Sequence, residues 1–217
     1  MKKLITSTAF AAAMVVGVAG TASAGIIVHD TEAEFTITNN QAGGVAANRS
    51  ILGNMFDNDT TTMFSLGLGG NIALEIVPST NAITDGTVVE LTNLGSNHAE
   101  SAILSLFDVG TATWIDIAEL FNNAAPGGTQ AVDAGSGVAT VVGVVAGATS
   151  NFTLTVLSGT FNAMRLTDTS SNIVGTGSTD GFDIAELSVT SVPEPGMLGL
   201  MGVGLLGLGF AAARRRA

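Results

Sequence analysis

The side chains able to do chemistry are few, and nearly all are acidic. Asp57, Asp59 and Thr62 share one short loop, Asp57-Asn58-Asp59-Thr60-Thr61-Thr62, which is rich in oxygen donors. Such a loop has two uses. Its oxygens can contribute to the roughly six to eight that a calcium ion takes, or its carboxylates can cap backbone N–H groups as Asx turns. It is not an EF-hand, because Thr62 stands at the sixth position where that loop needs glycine. Asp180-Gly181-Phe182-Asp183 is either a second oxygen site or a turn into the last strand. Trp114, the single tryptophan, can stack on a sugar or fill a core. Arg165 can pair with Asp168 or Asp183, or face a ligand pocket. His29 and His98 are isolated, and no His-x-x-x-His or Gly-x-Ser-x-Gly pattern occurs. His29 lies near the expected mature N-terminus, where disorder is common. With no cysteine, thiol catalysis and cysteine-type zinc sites are excluded. The expectation is a non-enzymatic protein with no catalytic residues.

These residues must be positioned by β-structure. Glu34 to Thr38, Asn71 to Val77, Thr87 to Thr92, Ala102 to Asp108 and Thr113 to Ile117 all read as strands. So do Gly137 to Val145, Phe152 to Leu157, Phe161 to Thr167 and Phe182 to Thr190. Asp85-Gly86 reads as a turn before its strand, and Ala118-Glu119-Leu120-Phe121 as a strand extension or one helical turn. Ile51 to Phe56 is a short apolar patch. No stretch of the body keeps a 3.6-residue period. Many short strands with frequent turns predict an all-β fold, a single β-sandwich of jelly-roll type.

Both ends carry targeting features. Met1-Lys2-Lys3 is a basic n-region, Leu4 to Gly20 an apolar h-region, and Ala22-Ser23-Ala24 a small-x-small site, so residues 1–24 read as a signal peptide. Pro193-Glu194-Pro195 cannot be helical and should stay extended and accessible. An uncharged run over 196–213 follows, about 27 Å long as a helix at ~1.5 Å per residue, enough to cross a thin bilayer. Arg214-Arg215-Arg216 behind it stay cytoplasmic, which leaves the body outside. The body is then one domain, 25–191, ahead of a sorting segment, 192–217. Between Gly25 and Val192 there are 17 carboxylates against Arg49 and Arg165, a formal charge of −15. Such a body repels nucleic acid and anionic lipid.

The tail resembles the PEP-CTERM sorting signal of bacterial envelope proteins: a Pro-Glu-Pro tripeptide, a short membrane helix and an arginine-rich end. The resemblance implies signal peptidase and an exosortase as processing partners. It also implies a passage held at the inner membrane, then a place on the envelope surface or outside the cell. Within the body, Asp57 to Phe64, Trp114 in a middle strand, Arg165-Leu166, and Ala185-Glu186-Leu187 in the last strand resemble discoidin-like and galactose-binding-like jelly rolls. This chain departs from them in its few aromatic residues and in Phe182-Asp183 before the last strand. The resemblance implies a structural Ca2+ held by Asp57, Asp59, Thr62, Glu186 and the Ala185 carbonyl. It also makes Trp114 and Arg165 the candidate ligand-binding residues. The expected function is adhesion or association with exopolysaccharide. The alternatives are a carbohydrate-binding module with a defined sugar site and a secreted polysaccharide hydrolase with paired carboxylates.

Overall fold

The computed structural model describes residues 25–91, 98–122, 131–173, 177–193 and Gly204. The expected signal peptide lies outside the described residues. So do Glu194, Pro195 and the membrane run with its arginine tail, Gly204 excepted. Among the described residues, no helix is long and apolar enough to cross a membrane.

Residues that alternate in hydropathy became strands, because the pleat sends successive side chains to opposite faces. The strands are β1 (Ile27–His29), β2 (Phe35–Asn40), β3 (Phe64–Ser65), β4 (Asn71–Ile76), β5 (Asn81–Leu91) and β6 (Ser101–Asp108). They continue as β7 (Thr113–Phe121), β8 (Ala131–Asp133), β9 (Ala139–Ala146), β10 (Thr149–Val156), β11 (Phe161–Asp168) and β12 (Asp183–Pro193). Two antiparallel sheets form a sandwich. The first runs β1-β12-β5-β10-β9, with β3 also on β12; the second runs β2-β4-β11-β6-β7-β8. In β4, Ile72, Leu74 and Ile76 point inward while Asn71, Ala73 and Glu75 point out. The inward residues of both sheets meet around Phe64, Phe152, Phe161 and Phe182, all buried.

Two local expectations, the turn at Asp85-Gly86 and disorder near His29, are corrected, and two open readings are resolved. Asp85-Gly86 is not a turn: both residues lie inside β5, opposite Thr190 and Val189 of β12. Glycine fits there because a Cβ on Gly86 would stand 3.3 Å from the Ser188 carbonyl. Ala118 to Phe121 continues β7, with Ile117, Ala118 and Leu120 buried. The apolar patch near Ile51 is a 3-10 turn, Leu52–Met55, that seats Met55 in the core. His29 is ordered and buried in β1, where Nε2 lies 2.8 Å from Ser191 Oγ on β12. β12 runs on to Pro193, which pairs with Asn81. The first proline of the sorting tripeptide is thus extended, half-buried and joined to the sheet without a linker.

Candidate functional site

The second sheet turns one row of side chains away from the core. β6 and β7 form a hairpin whose register sets Phe107 opposite Trp114. Their rings meet edge to face, 5.4 Å apart at 64°, a favoured aromatic geometry. β11 lies on the other side of β6 and sets Arg165 opposite Ser105. The guanidinium carbon of Arg165 stands 4.5 Å from the Trp114 ring centroid, within cation–π range. Arg165 Nη2 donates to Ser105 Oγ at 3.4 Å, and Ser105 Oγ donates to Asp116 Oδ1 at 2.7 Å. A chain of polar contacts thus holds the arginine over the indole.

Trp114 is half-buried and lies outside the core, so the reading of it as a core tryptophan does not hold. Arg165 does not pair with Asp168 or Asp183. Among the described residues the ion pairs are those of Arg49, with Asp180 and with Asp183. Beside Trp114 is a recess of about 190 Å3, bordered by Phe107, Glu75, Asn162, Thr36 and Thr38. A register shift between Phe161 and Ala163 marks a β-bulge at Asn162, a device that re-aims a side chain. Asn162 Nδ2 donates to Glu75 Oε1 at 3.3 Å and to the Ser79 carbonyl at 3.2 Å. Its Oδ1 and the Nε of Arg165 are buried without a protein partner. One unsatisfied acceptor and one unsatisfied donor, both shielded from solvent, therefore lie beside the aromatic pair. Phe107, Asn162 and Glu75 were not singled out from the sequence. Phe107 was within reach, since the four-residue loop between its strand and that of Trp114 fixes their pairing.

The loop at Asp57 takes the alternative form. Asp57 Oδ1 accepts the Asp59 N–H at 2.9 Å, and Asp59 Oδ1 accepts the Thr61 N–H at 2.9 Å. Thr62 Oγ1 donates to Asp57 Oδ2 at 2.7 Å. These are Asx turns, and the hydroxyl and amide of Thr61 hold the Asp59 carboxyl below its ordinary range. Ala185 is buried at a register shift in β12. Glu186 borders a separate recess with Asn58, Phe56 and Asp30. Among the described residues no three His, Cys, Asp or Glu side chains gather as a metal would need. In this arrangement Asp57 and Asp59 act as acceptors for the amides and hydroxyls of their own loop, the Asx-turn use of these residues.

A second polar cluster is buried rather than exposed. Asp183 accepts from Ser65 Oγ, and Arg49 pairs with Asp180 and lies 3.8 Å from Asp183 Oδ2. Gly181 makes this corner: a Cβ there would meet the Gly67 carbonyl at 2.7 Å and Asp168 Oδ1 at 2.8 Å. Asp180-Gly181-Phe182-Asp183 is thus a turn into the last strand. Glu100 accepts from Ser178 Oγ at 2.7 Å. Burial, reinforced by Asp183, pushes the Glu100 carboxyl up to about 10. Burial, reinforced by Asp180, lifts Asp183 to about 7.

Residues 191–216 match the PEP-CTERM protein-sorting motif. No curated protein matches the chain. Among solved structures the chain is similar to the CBM32 of AlyQ in complex with 4,5-unsaturated mannuronic acid. The identity is 14%, the TM-score 0.42, and the match covers 75% of this chain and 97% of that one. A Clostridium perfringens CBM32 in complex with GalNAc-beta-1,3-galactose matches at 18% identity and TM-score 0.40, over 72% and 95% of the two chains. CBM32-3 from a family 31 glycoside hydrolase of the same organism matches at 11% and 0.44, over 76% and 94%.

Proposed function

We propose that this is an exported, exosortase-processed surface or matrix protein that binds polysaccharide without cleaving it. Its sugar site is the Trp114 face of the second sheet. The observation that carries the reading is Arg165 held over the Trp114 ring, which itself borders a recess of mixed apolar and polar lining. A pyranose presents C–H bonds on one face and hydroxyls around its rim. The first suits the indole and the Phe107 ring. The second suit Arg165, Asn162 Oδ1 and Glu75. A recess of about 190 Å3 is smaller than the ~300–1,000 Å3 of an enclosing small-molecule cleft. It would take one ring of a long polymer laid across the sheet. A body with a formal charge of −15 disfavours strongly anionic chains, so neutral glycans are the expected ligands.

The sorting motif supports delivery of this face outside the inner membrane, where exopolysaccharide is met. The test is binding of the chain to a panel of neutral and acidic polysaccharides, by calorimetry and affinity electrophoresis. Neutral polymers should bind, and Trp114→Ala should lower affinity at least ~10-fold. Undiminished binding by that variant, or hydrolysis of any polymer, would refute the proposal.

A further inference from the structure

Among the described residues the first sheet ends on β9, and no strand pairs with its outer side. Ala134 to Met164 contains no charged residue, in a body that carries 19. Proteins usually protect sheet edges by shortness, charge or proline. The other edges described here are protected. β1 is three residues long and is followed by Asp30, Glu32 and Glu34; β8 is three residues long and ends on Asp133; β2 ends in Thr38-Asn39-Asn40. β9 is eight residues long, and Val142, Val144 and Val145 are 62%, 57% and 46% exposed.

The sequence of that edge is symmetric. Val141-Val142-Gly143-Val144-Val145 reads the same in both directions. Antiparallel pairing about a twofold axis through Gly143 therefore sets valine against valine on either side of a central glycine pair. The backbone parity agrees. The Leu157 N–H donates to the Val138 carbonyl at 2.8 Å. In the β9–β10 register, the even-numbered residues of β9 thus turn their polar groups toward β10. Val141, Gly143 and Val145 turn theirs to the open edge. The same axis makes Gly143–Gly143 and Val141–Val145 hydrogen-bonded pairs, and places Val142 beside Val144 as a non-hydrogen-bonded pair, at a Cα spacing of ~4.5 Å.

We infer that β9 docks a second copy of this chain, antiparallel and centred on Gly143, joining two sandwiches through one continuous sheet. A closed twofold pairing is self-complementary by construction. Charge favours the same occupant. Two bodies of equal negative charge can meet most readily along a strip that has none, and added salt should strengthen the pairing by screening the rest.

The natural absence of cysteine makes the test clean. Val142→Cys/Val144→Cys in the full chain, purified in mild detergent and gently oxidised, should run mostly as a covalent dimer on a non-reducing gel. Thr140→Cys/Val142→Cys, which sets no cysteine opposite another, should cross-link at least ~5-fold less. Equal yields from the two, no dimer from the first, or an adduct with another protein would each overturn the inference. Independently, Val142→Lys/Val144→Lys changes only exposed positions. It should convert the dimer seen by sedimentation to monomer with the melting temperature kept. A wild-type chain that sediments as monomer at tens of micromolar would overturn the inference as well.

Discussion

The exported body has two arginines, and they sit in opposite circumstances. Arg49 closes a buried acidic corner, paired with Asp180 and close to Asp183. Arg165 lies on an aromatic ring at the outer face, with its Nε unpaired. One cation serves as counter-charge for carboxylates that have lost water. The other is held in place by an indole and a hydroxyl and keeps a donor to spare. In a body with 17 carboxylates, an arginine left without one is the informative case. What each arginine meets, carboxylates or an aromatic ring, separates structural charge from charge offered to a ligand.

The largest effect expected from breaking this contrast is on stability at Arg49. Arg49→Met leaves Asp183 buried without its cation. It should cost about 3 kcal/mol in urea unfolding, the low end for breaking a buried pair because Arg49 is partly open to solvent. Arg165→Ala should do the reverse. It should weaken glycan binding ~10-fold while moving stability by less than about 1 kcal/mol, as calorimetry and melting would show together. Equal stability losses at the two arginines would erase the distinction.

The acidic corner also predicts a pH profile. Asp183 and Glu100 are raised from their ordinary values, so the folded state holds protons that the unfolded chain releases. Their contribution to stability is full below about pH 4 and is lost as pH rises. Asp183 loses its share by about pH 7, and Glu100 loses its share toward about pH 10. Melting temperature should therefore fall from acid to alkaline pH, and Glu100→Gln should flatten the alkaline part. A profile that rises with pH would contradict the buried neutral carboxyls. The smallest effect is expected at the Asp57 loop. Because its oxygens already satisfy one another, EDTA should leave the melting temperature unchanged, and a clear drop would show that a cation orders the loop.

Much of the fold was legible from alternation along the chain. β4, β6 and β11 lie within a residue of where their periodicity put them, and β10 begins three residues earlier. β5 was read short because Asp-Gly is a local turn signal. The glycine there answers a tertiary demand, the approach of Ser188 from β12, which no local rule contains. Trp114 and Arg165 were chosen from the sequence by residue type. Their contact depends on β11 lying beside β6, a pairing across more than 40 residues of chain, and Asn162 joins them through a bulge that its residue type does not announce. Arg165 does not meet Asp168, because residues three apart on one strand face opposite sides of the sheet, nor Asp183, which lies on β12 in the other sheet.

The sequence alone determined the charge of the body, the absence of thiol chemistry, the β periodicity and the sorting tripeptide with its apolar run and arginines. These depend on composition and local pattern, which folding leaves unchanged. Tertiary structure alone decided which arginine meets carboxylates and which an aromatic ring, and that the symmetric valine strand lies at an edge. Those outcomes depend on which strands become neighbours, and neighbours are chosen by the burial of both sheets at once.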